Sequence, residues 1–293
     1  MKIGYPCINN SLKVTTFKTF RLGSYSDERF KETVSYNLAN LRNILEFNIR
    51  HDLKFFRIGS GLIPLASHPV CVFPWREYFK KEFSEIGEYI AKHGLRISMH
   101  PDQFTLINAL GEEIISRSIK EIEYHTDVLD LFGLDPSHKV QIHVGGAYGD
   151  KEKSIARFIS NYNKLSEKIK NRLVIENDER LFSLKDCLFI SKQTGVPVIL
   201  DTLHHKLNNN GESLAQAVNS AAKTWKNIDG VPMTDYSSQA PDKRTGAHTN
   251  SIDTEDFKKF LSAASGIDLD IMLEIKDKEK SALLAIEILN NNL

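Results

Sequence analysis

Short β-branched runs along this chain keep ending at a residue able to do chemistry. Arg96-Ile97-Ser98-Met99 runs into His100, Val140-Gln141-Ile142 into His143 and Leu173-Val174-Ile175 into Glu176. Val198-Ile199-Leu200 runs into Asp201, and Ile271-Met272-Leu273 into Glu274. One buried strand that stops at a carboxylate or an imidazole is ordinary. The same ending on five strands needs a common cause. A closed parallel barrel supplies one, because all its strand C-termini open on one face. His, Asp and Glu gathered there have the donor chemistry of a divalent metal site.

The spacing of the runs fits that geometry. Strands are predicted over Lys2–Cys7, Phe55–Gly59, Leu95–His100, Val140–Gly145, Arg172–Asp178, Pro197–Asp201, Val231–Ser237 and Asp270–Lys276. Between them lie amphipathic stretches at helical spacing: Glu28–Arg50, Trp75–His93, Glu112–Phe132, Ile155–Ile169, Ser183–Thr194, Glu212–Trp225, Thr254–Ala264 and Glu279–Leu289. Eight alternations without a linker-like break favour the α/β class and one closed (β/α)8 barrel over residues 1–293, with its active site at the C-terminal ends of the strands. An open doubly wound sheet has the same periodicity, which does not report closure. Gly94, Gly133 and Gly195 each follow a helical run, where a left-handed residue ends a helix. The connections Gly61–Pro74 and Ser237–Ile252 exceed what a scaffold needs, and long βα loops usually carry function.

Composition narrows the partners. Lys plus Arg equals Asp plus Glu at 38 each, so no global field draws in a nucleic acid, and such a partner needs a local patch or bound cations. Cys7, Cys71 and Cys187 form no CxxC pair, which argues against a disulfide framework or a thiolate zinc site and for a reducing compartment. The start of the chain lacks a signal-peptide pattern and no run is long enough to span a bilayer, so the expectation is a cytoplasmic protein that is not secreted and does not engage a membrane.

The candidate ligands are His100, His143, Glu176, Asp201, His204 three residues further on, and Glu274. His68 and His248 stand in the two long loops, and Asp235 lies in strand seven, where a barrel site demands a contribution. Asp201 could instead cap the following turn, with His204 solvated. His51, His93, His125 and His138 fall on helices or helix ends and are read as structural, and Cys7 as a buried small residue. Arg57, Arg180, Lys206, Lys243 and Arg244 border the predicted active face and are candidates for phosphate contacts. Val144-Gly145-Gly146-Ala147-Tyr148-Gly149 has the wrong spacing for a dinucleotide fingerprint and reads as a flexible loop that lets backbone approach the site.

Several ordered segments together resemble the UV damage endonucleases. They are Ile3-Gly4-Tyr5-Pro6-Cys7, Phe56-Arg57-Ile58-Gly59, Ile63-Pro64-Leu65-Ala66-Ser67-His68-Pro69 and Ser98-Met99-His100-Pro101-Asp102-Gln103. The likeness continues through His143-Val144-Gly145-Gly146-Ala147-Tyr148-Gly149, Glu176-Asn177-Asp178-Glu179-Arg180-Leu181, Asp201-Thr202-Leu203-His204-His205 and Gly246-Ala247-His248. The resemblance implies a TIM-barrel nuclease related in architecture to endonuclease IV. Such an enzyme cuts double-stranded DNA immediately 5′ to a UV photoproduct, with other helix-distorting lesions as further candidate substrates, and leaves a 3′-hydroxyl and a 5′-phosphate. It also implies up to three divalent ions, usually Mn2+ with Mg2+, Co2+ or Zn2+ possible, held by His68, His100, His143, Glu176, Asp201, His204, Asp235, His248 and Glu274. His100, His143, Glu176 and Glu274 would be central to catalysis, Gln103 and Phe104 would probe the duplex opposite the lesion, and Tyr5 and Asn9 would lie close to the DNA. A monomer is expected.

Three departures from the family pattern stand out. Where it often carries Lys-x-His on strand seven, this chain has Met233-Thr234-Asp235. A thioether cannot be carboxylated, and Asp235 brings oxygen where nitrogen is usual. Phe104 stands where tyrosine is common, and Asp102 where glycine is. Two rival readings are a metal-dependent sugar isomerase or epimerase on the same kind of barrel, and a lesion-binding protein without catalysis.

Overall fold

A computed structural model describes residues 1–291. Eight parallel strands pair in chain order and close on themselves. They are β1 (Ile3–Pro6), β2 (Phe55–Ile58), β3 (Arg96–Met99), β4 (Lys139–His143), β5 (Leu173–Glu176), β6 (Val198–Asp201), β7 (Met233–Tyr236) and β8 (Asp270–Leu273). β1 pairs with both β2 and β8, so the closed alternative holds and the open sheet does not. The predicted strands overrun at several ends because the ladder stops where the chain turns outward. His100 and Glu274 therefore sit one residue beyond their strands.

The helices are α1 (Asp27–Arg50), α2 (Trp75–Tyr78), α3 (Lys80–Lys92), α4 (Glu112–Leu131), α5 (Lys151–Asn163), α6 (Glu167–Lys170), α7 (Leu184–Thr194), α8 (Thr202–Leu207), α9 (Leu214–Ala222), α10 (Thr254–Ala263) and α11 (Glu279–Asn291). α1 shows why they form: Phe30, Val34, Leu38, Leu41 and Leu45 make one buried stripe, and Ser26 caps the start by accepting the Arg29 N–H. The predicted Trp75–His93 helix breaks at Phe79. The predicted Ile155–Ile169 helix starts earlier, at Lys151, under the Asp150 cap and is divided before Ser166, which caps α6. Gly94, Gly133 and Gly195 have φ of +61°, +69° and +79°, the left-handed conformation expected of them.

The barrel interior is layered. Phe55, Val174, Ile199, Met233 and Met272 form a buried apolar plug separate from the main core between strands and helices. Strand alternation returns to the same face every second residue. Two residues further along these strands come Arg57, Glu176, Asp201, Asp235 and Glu274, so a charged layer lies directly above the plug. The same step carries Gln141 to His143 and Ser98 to His100. At the opposite end of the barrel Arg96 pairs with Asp270 at 2.8 Å and Lys139 with Asp229 at 2.5 Å. His125 is structural as expected, with Nδ1 2.7 Å from the Glu121 carbonyl and Nε2 3.0 Å from Ser60 Oγ. Among the described residues no helix is long and apolar enough to cross a membrane.

Candidate metal centre

Glu176 is the hub of the site. It is 2% exposed, and its Oε1 lies 2.9 Å from His143 Nδ1 and 3.4 Å from His100 Nε2. Its Oε2 accepts from Gln141 Nε2. Imidazoles then run in an arc: ring centroids are 5.1 Å apart for His100 and His143, 6.3 Å for His143 and His204, and 6.4 Å for His204 and His248. His248 Nε2 lies 3.8 Å from Glu274 Oε2.

α8 explains how β6 delivers two donors three residues apart. Asp201 Oδ1 accepts the His204 N–H at 2.7 Å, so the capping role weighed for Asp201 is real, and it turns His204 inward rather than into solvent. Asn177 holds the same turn by bonding both the N–H and the carbonyl of Asp201, at 2.9 and 3.1 Å. His204 Nδ1 meets the Asn177 carbonyl at 3.0 Å, which leaves Nε2 as the ring nitrogen able to take a ligand once its proton is displaced.

Electrostatics and unmet hydrogen bonds both fit a cation. Donor atoms of His100, His143 and Glu176 lie within 4.8 Å of one another, as do those of Glu176, Asp201 and Asp235. Asp201 Oδ2, His100 Nδ1 and His248 Nδ1 are buried with no hydrogen-bond partner. Native proteins seldom leave such groups unpaired, and a buried unpaired carboxylate oxygen among other carboxylates is what a cation satisfies. Burial alone would lower His143, yet Glu176 outweighs it and raises the imidazole to about 9. His204 is likewise raised to about 9, against its burial, by Asp201, Glu176 and Glu274. Burial lifts Asp201 to about 6, with His204 opposing it. Burial would also raise Glu176, but His143 and His100 hold it well below the usual carboxylate range. Protons on the imidazoles thus offset carboxylate charge that a metal ion would otherwise balance.

The remaining candidates fall into three groups. Gln103 and Phe104 are exposed, Phe104 at 72%, and line a cleft of about 570 Å³ together with His100, His143, His248 and Glu274. Arg180, Lys206, Lys243 and Arg244 are exposed. His68 is exposed too. Its Nδ1 accepts the Val70 N–H at 3.1 Å, and it borders a neighbouring groove with Asp102 and Phe104, away from the imidazole arc.

Three assignments need correcting. Arg57 lines the cleft but is buried, and its Nη groups are held by Asp235, Gln141 and Glu274, so it is an internal ion-pair partner rather than an exposed phosphate contact. Tyr5 and Asn9 are fully buried: the Tyr5 hydroxyl donates to Asn48 Oδ1 at 2.6 Å and accepts from Asn9 Nδ2 at 2.8 Å. They brace the first βα loop from inside. Cys7, read as a buried apolar residue, is half-buried at φ +68° and lines the cleft. Sequence reasoning missed Gln141 and Asn177; Gln141 shares the inward face with His143 two residues on, and Asn177 follows Glu176 directly. The glycine loop is less free than expected. Gly145 has φ +116°, and a Cβ there would lie 2.2 Å from Asn108 Oδ1, so close packing as well as conformation requires glycine.

A closed barrel with imidazoles and carboxylates converging above an apolar plug, beneath an exposed aromatic tip, defines a barrel enzyme working at its strand C-termini. A family model described as UV-endonuclease UvdE matches residues 1–291, and the chain belongs to that family. It is 41% identical over 291 residues to a UV DNA damage endonuclease of Clostridium perfringens (strain 13 / Type A), covering 99% of this chain and 71% of that protein. The crystal structure of SacUVDE superposes with a TM-score of 0.95 at 46% identity, covering 100% of this chain and 99% of that one. A D-psicose 3-epimerase from Clostridium cellulolyticum H10 superposes with a TM-score of 0.61 at 11% identity over 99% of each chain, a likeness of fold alone.

Proposed function

We propose that this protein is a divalent-cation-dependent DNA repair endonuclease that cuts the phosphodiester immediately 5′ to a UV photoproduct, leaving a 3′-hydroxyl and a 5′-phosphate. The observation that carries the reading is the pairing of the Glu176-centred cluster, with its unpartnered Asp201 oxygen, with the Gln103-Phe104 tip on the same cleft. His100, His143, Glu176, Asp201, His204, His248 and Glu274 would hold the ions, and the mixed imidazole and carboxylate donors suit Mn2+ first, with Mg2+, Co2+ or Zn2+ as substitutes. Ions bound there supply Lewis acidity and positive charge at the scissile phosphate.

The protein's own groups do the rest. Gln141 and Asn177 fix the orientation of Glu176 and of the Asp201 turn. Gln103 and Phe104 enter the duplex where a photoproduct has weakened stacking, since damaged pairs cost less to open. Lys206 on α8 and Lys243 and Arg244 in the connection after β7 are exposed and would neutralise backbone phosphates in a protein whose formal net charge is zero. One copy of the chain carries every residue named here.

Supercoiled plasmid, irradiated or not, tests this reading. Nicked circles should form only from irradiated plasmid with Mn2+ present, and a chelator should stop the reaction. Retention of irradiated DNA without nicking would favour a lesion-binding protein. Epimerisation of a free ketose without any action on DNA would favour the sugar-enzyme reading.

A further inference from the structure

The charged layer above the plug already contains a permanent cation. Arg57 Nη2 donates to Asp235 Oδ1 at 2.7 Å and to Gln141 Oε1 at 2.8 Å, and Nη1 donates to Glu274 Oε1. Gln141 Nε2 donates to Asp235 Oδ2 at 2.6 Å and to Glu176 Oε2. Both oxygens of Asp235 are therefore engaged within the protein. Glu176 and Glu274 each commit one oxygen to this network and turn the other toward an imidazole: Oε1 of Glu176 to His143, Oε2 of Glu274 to His248.

A guanidinium stays charged under any condition in which the protein folds. An ion bridging Asp235 and Glu274 would have to displace it or sit against it in a buried setting where like charges repel strongly. Asp235 lies close enough to Glu176 and Asp201 to share an ion with them, so proximity alone does not decide. The nature of its partners does: both Asp235 oxygens are held by Arg57 and Gln141, donors that keep their protons, whereas the oxygens of Glu176 and Glu274 that face the site meet imidazoles, which can release theirs, and Asp201 Oδ2 accepts no hydrogen bond. Met233 lies below in the plug and contributes no donor of its own to this layer.

We propose that Arg57 is a built-in positioning cation with Asp235 as its counter-ion, so that the centre takes two divalent ions rather than three. This rests on the metal reading above. Through Gln141 and Glu274, the pair holds the carboxylates that face the ions.

The test is metal stoichiometry. Protein loaded with excess Mn2+ and desalted is assayed by elemental analysis, with calorimetric titration alongside. Two equivalents are expected in the natural protein, and two again in Asp235→Asn with affinities within about threefold. Arg57→Gln should admit a third equivalent, whereas Arg57→Lys, which keeps the charge, should hold two. Three equivalents in the natural protein, loss of one in folded Asp235→Asn, or an Arg57→Gln protein still holding two would overturn the assignment. If the variants fail to fold, the stoichiometry of the natural protein decides the matter alone. No bound ion at all would instead sink the metal reading itself, and the assignment with it.

Discussion

Truncating the cleft tip should separate lesion recognition from everything else the protein does. Phe104 is 72% exposed, and its N–H is held by Asp102 Oδ1 at 2.8 Å, a local turn that presents the ring outward. Its ring therefore contributes little to the core, and replacing Gln103 and Phe104 together by alanine should change stability by no more than about 0.5 kcal/mol. Bound to DNA, the same ring stands to lose one base-stacking contact, worth about 1–3 kcal/mol. That corresponds to roughly 5- to 150-fold in affinity. Fluorescence anisotropy with a duplex carrying one cyclobutane pyrimidine dimer, against the undamaged duplex, measures both affinity and selectivity. A Glu176→Gln background in both arms keeps the DNA intact. The double variant should lose affinity for the damaged duplex by that factor, with an unchanged melting temperature. Unchanged preference for damaged DNA in a folded variant would refute the probe assignment.

Three further outcomes follow from the same structure. Glu176→Ala or Glu274→Ala should lower incision by more than about 100-fold while circular dichroism stays native, since both act at the strand ends above an intact plug; near-natural rates would contradict the site. Tyr5→Phe should lower stability by about 1–3 kcal/mol in chemical denaturation, because it strands Asn48 and Asn9, with DNA affinity unaffected; the reverse pattern would return Tyr5 to the DNA interface. His143 and His204, raised to about 9 without metal, are protonated at neutral pH, so Mn2+ must displace protons to reach them. Apparent affinity should therefore rise with pH from neutrality toward 9, and calorimetry in buffers of different ionisation enthalpy should detect protons released at pH 7; binding without proton release would place the ions elsewhere.

The residues at strand ends were legible because a period of two and a common barrel face leave little freedom: Glu176, Asp201 and Glu274 could only converge. What lies beneath them was harder to read. Arg57 and Gln141 are polar residues inside strands, and alternation alone does not say whether an inward polar group meets solvent, substrate or another side chain. Only three-dimensional proximity pairs Arg57 with Asp235, 178 residues away. The resemblance puts Tyr5 near DNA, but its hydroxyl turns the other way because Asn48 on α1 accepts from it and Asn9 donates to it. The six residues of α8 carry too little periodicity to mark a helix, although Asp201, the residue that caps its start, is a cap candidate in the sequence. His68 depends on a loop path that sequence does not encode locally, and it stands at the neighbouring groove.

The central claim is tested most directly by mapping one cut. A 5′-labelled duplex with a single cyclobutane pyrimidine dimer is incubated with the purified protein and Mn2+, and the product is sized beside a sequence ladder and offered to a DNA polymerase. Cleavage at the phosphodiester immediately 5′ to the dimer, with a 3′-end that the polymerase extends and with activity lost on chelation and restored by Mn2+, is the predicted result. Cleavage that persists under chelation, falls 3′ to the dimer or occurs equally in undamaged DNA would contradict it, as would an intact duplex.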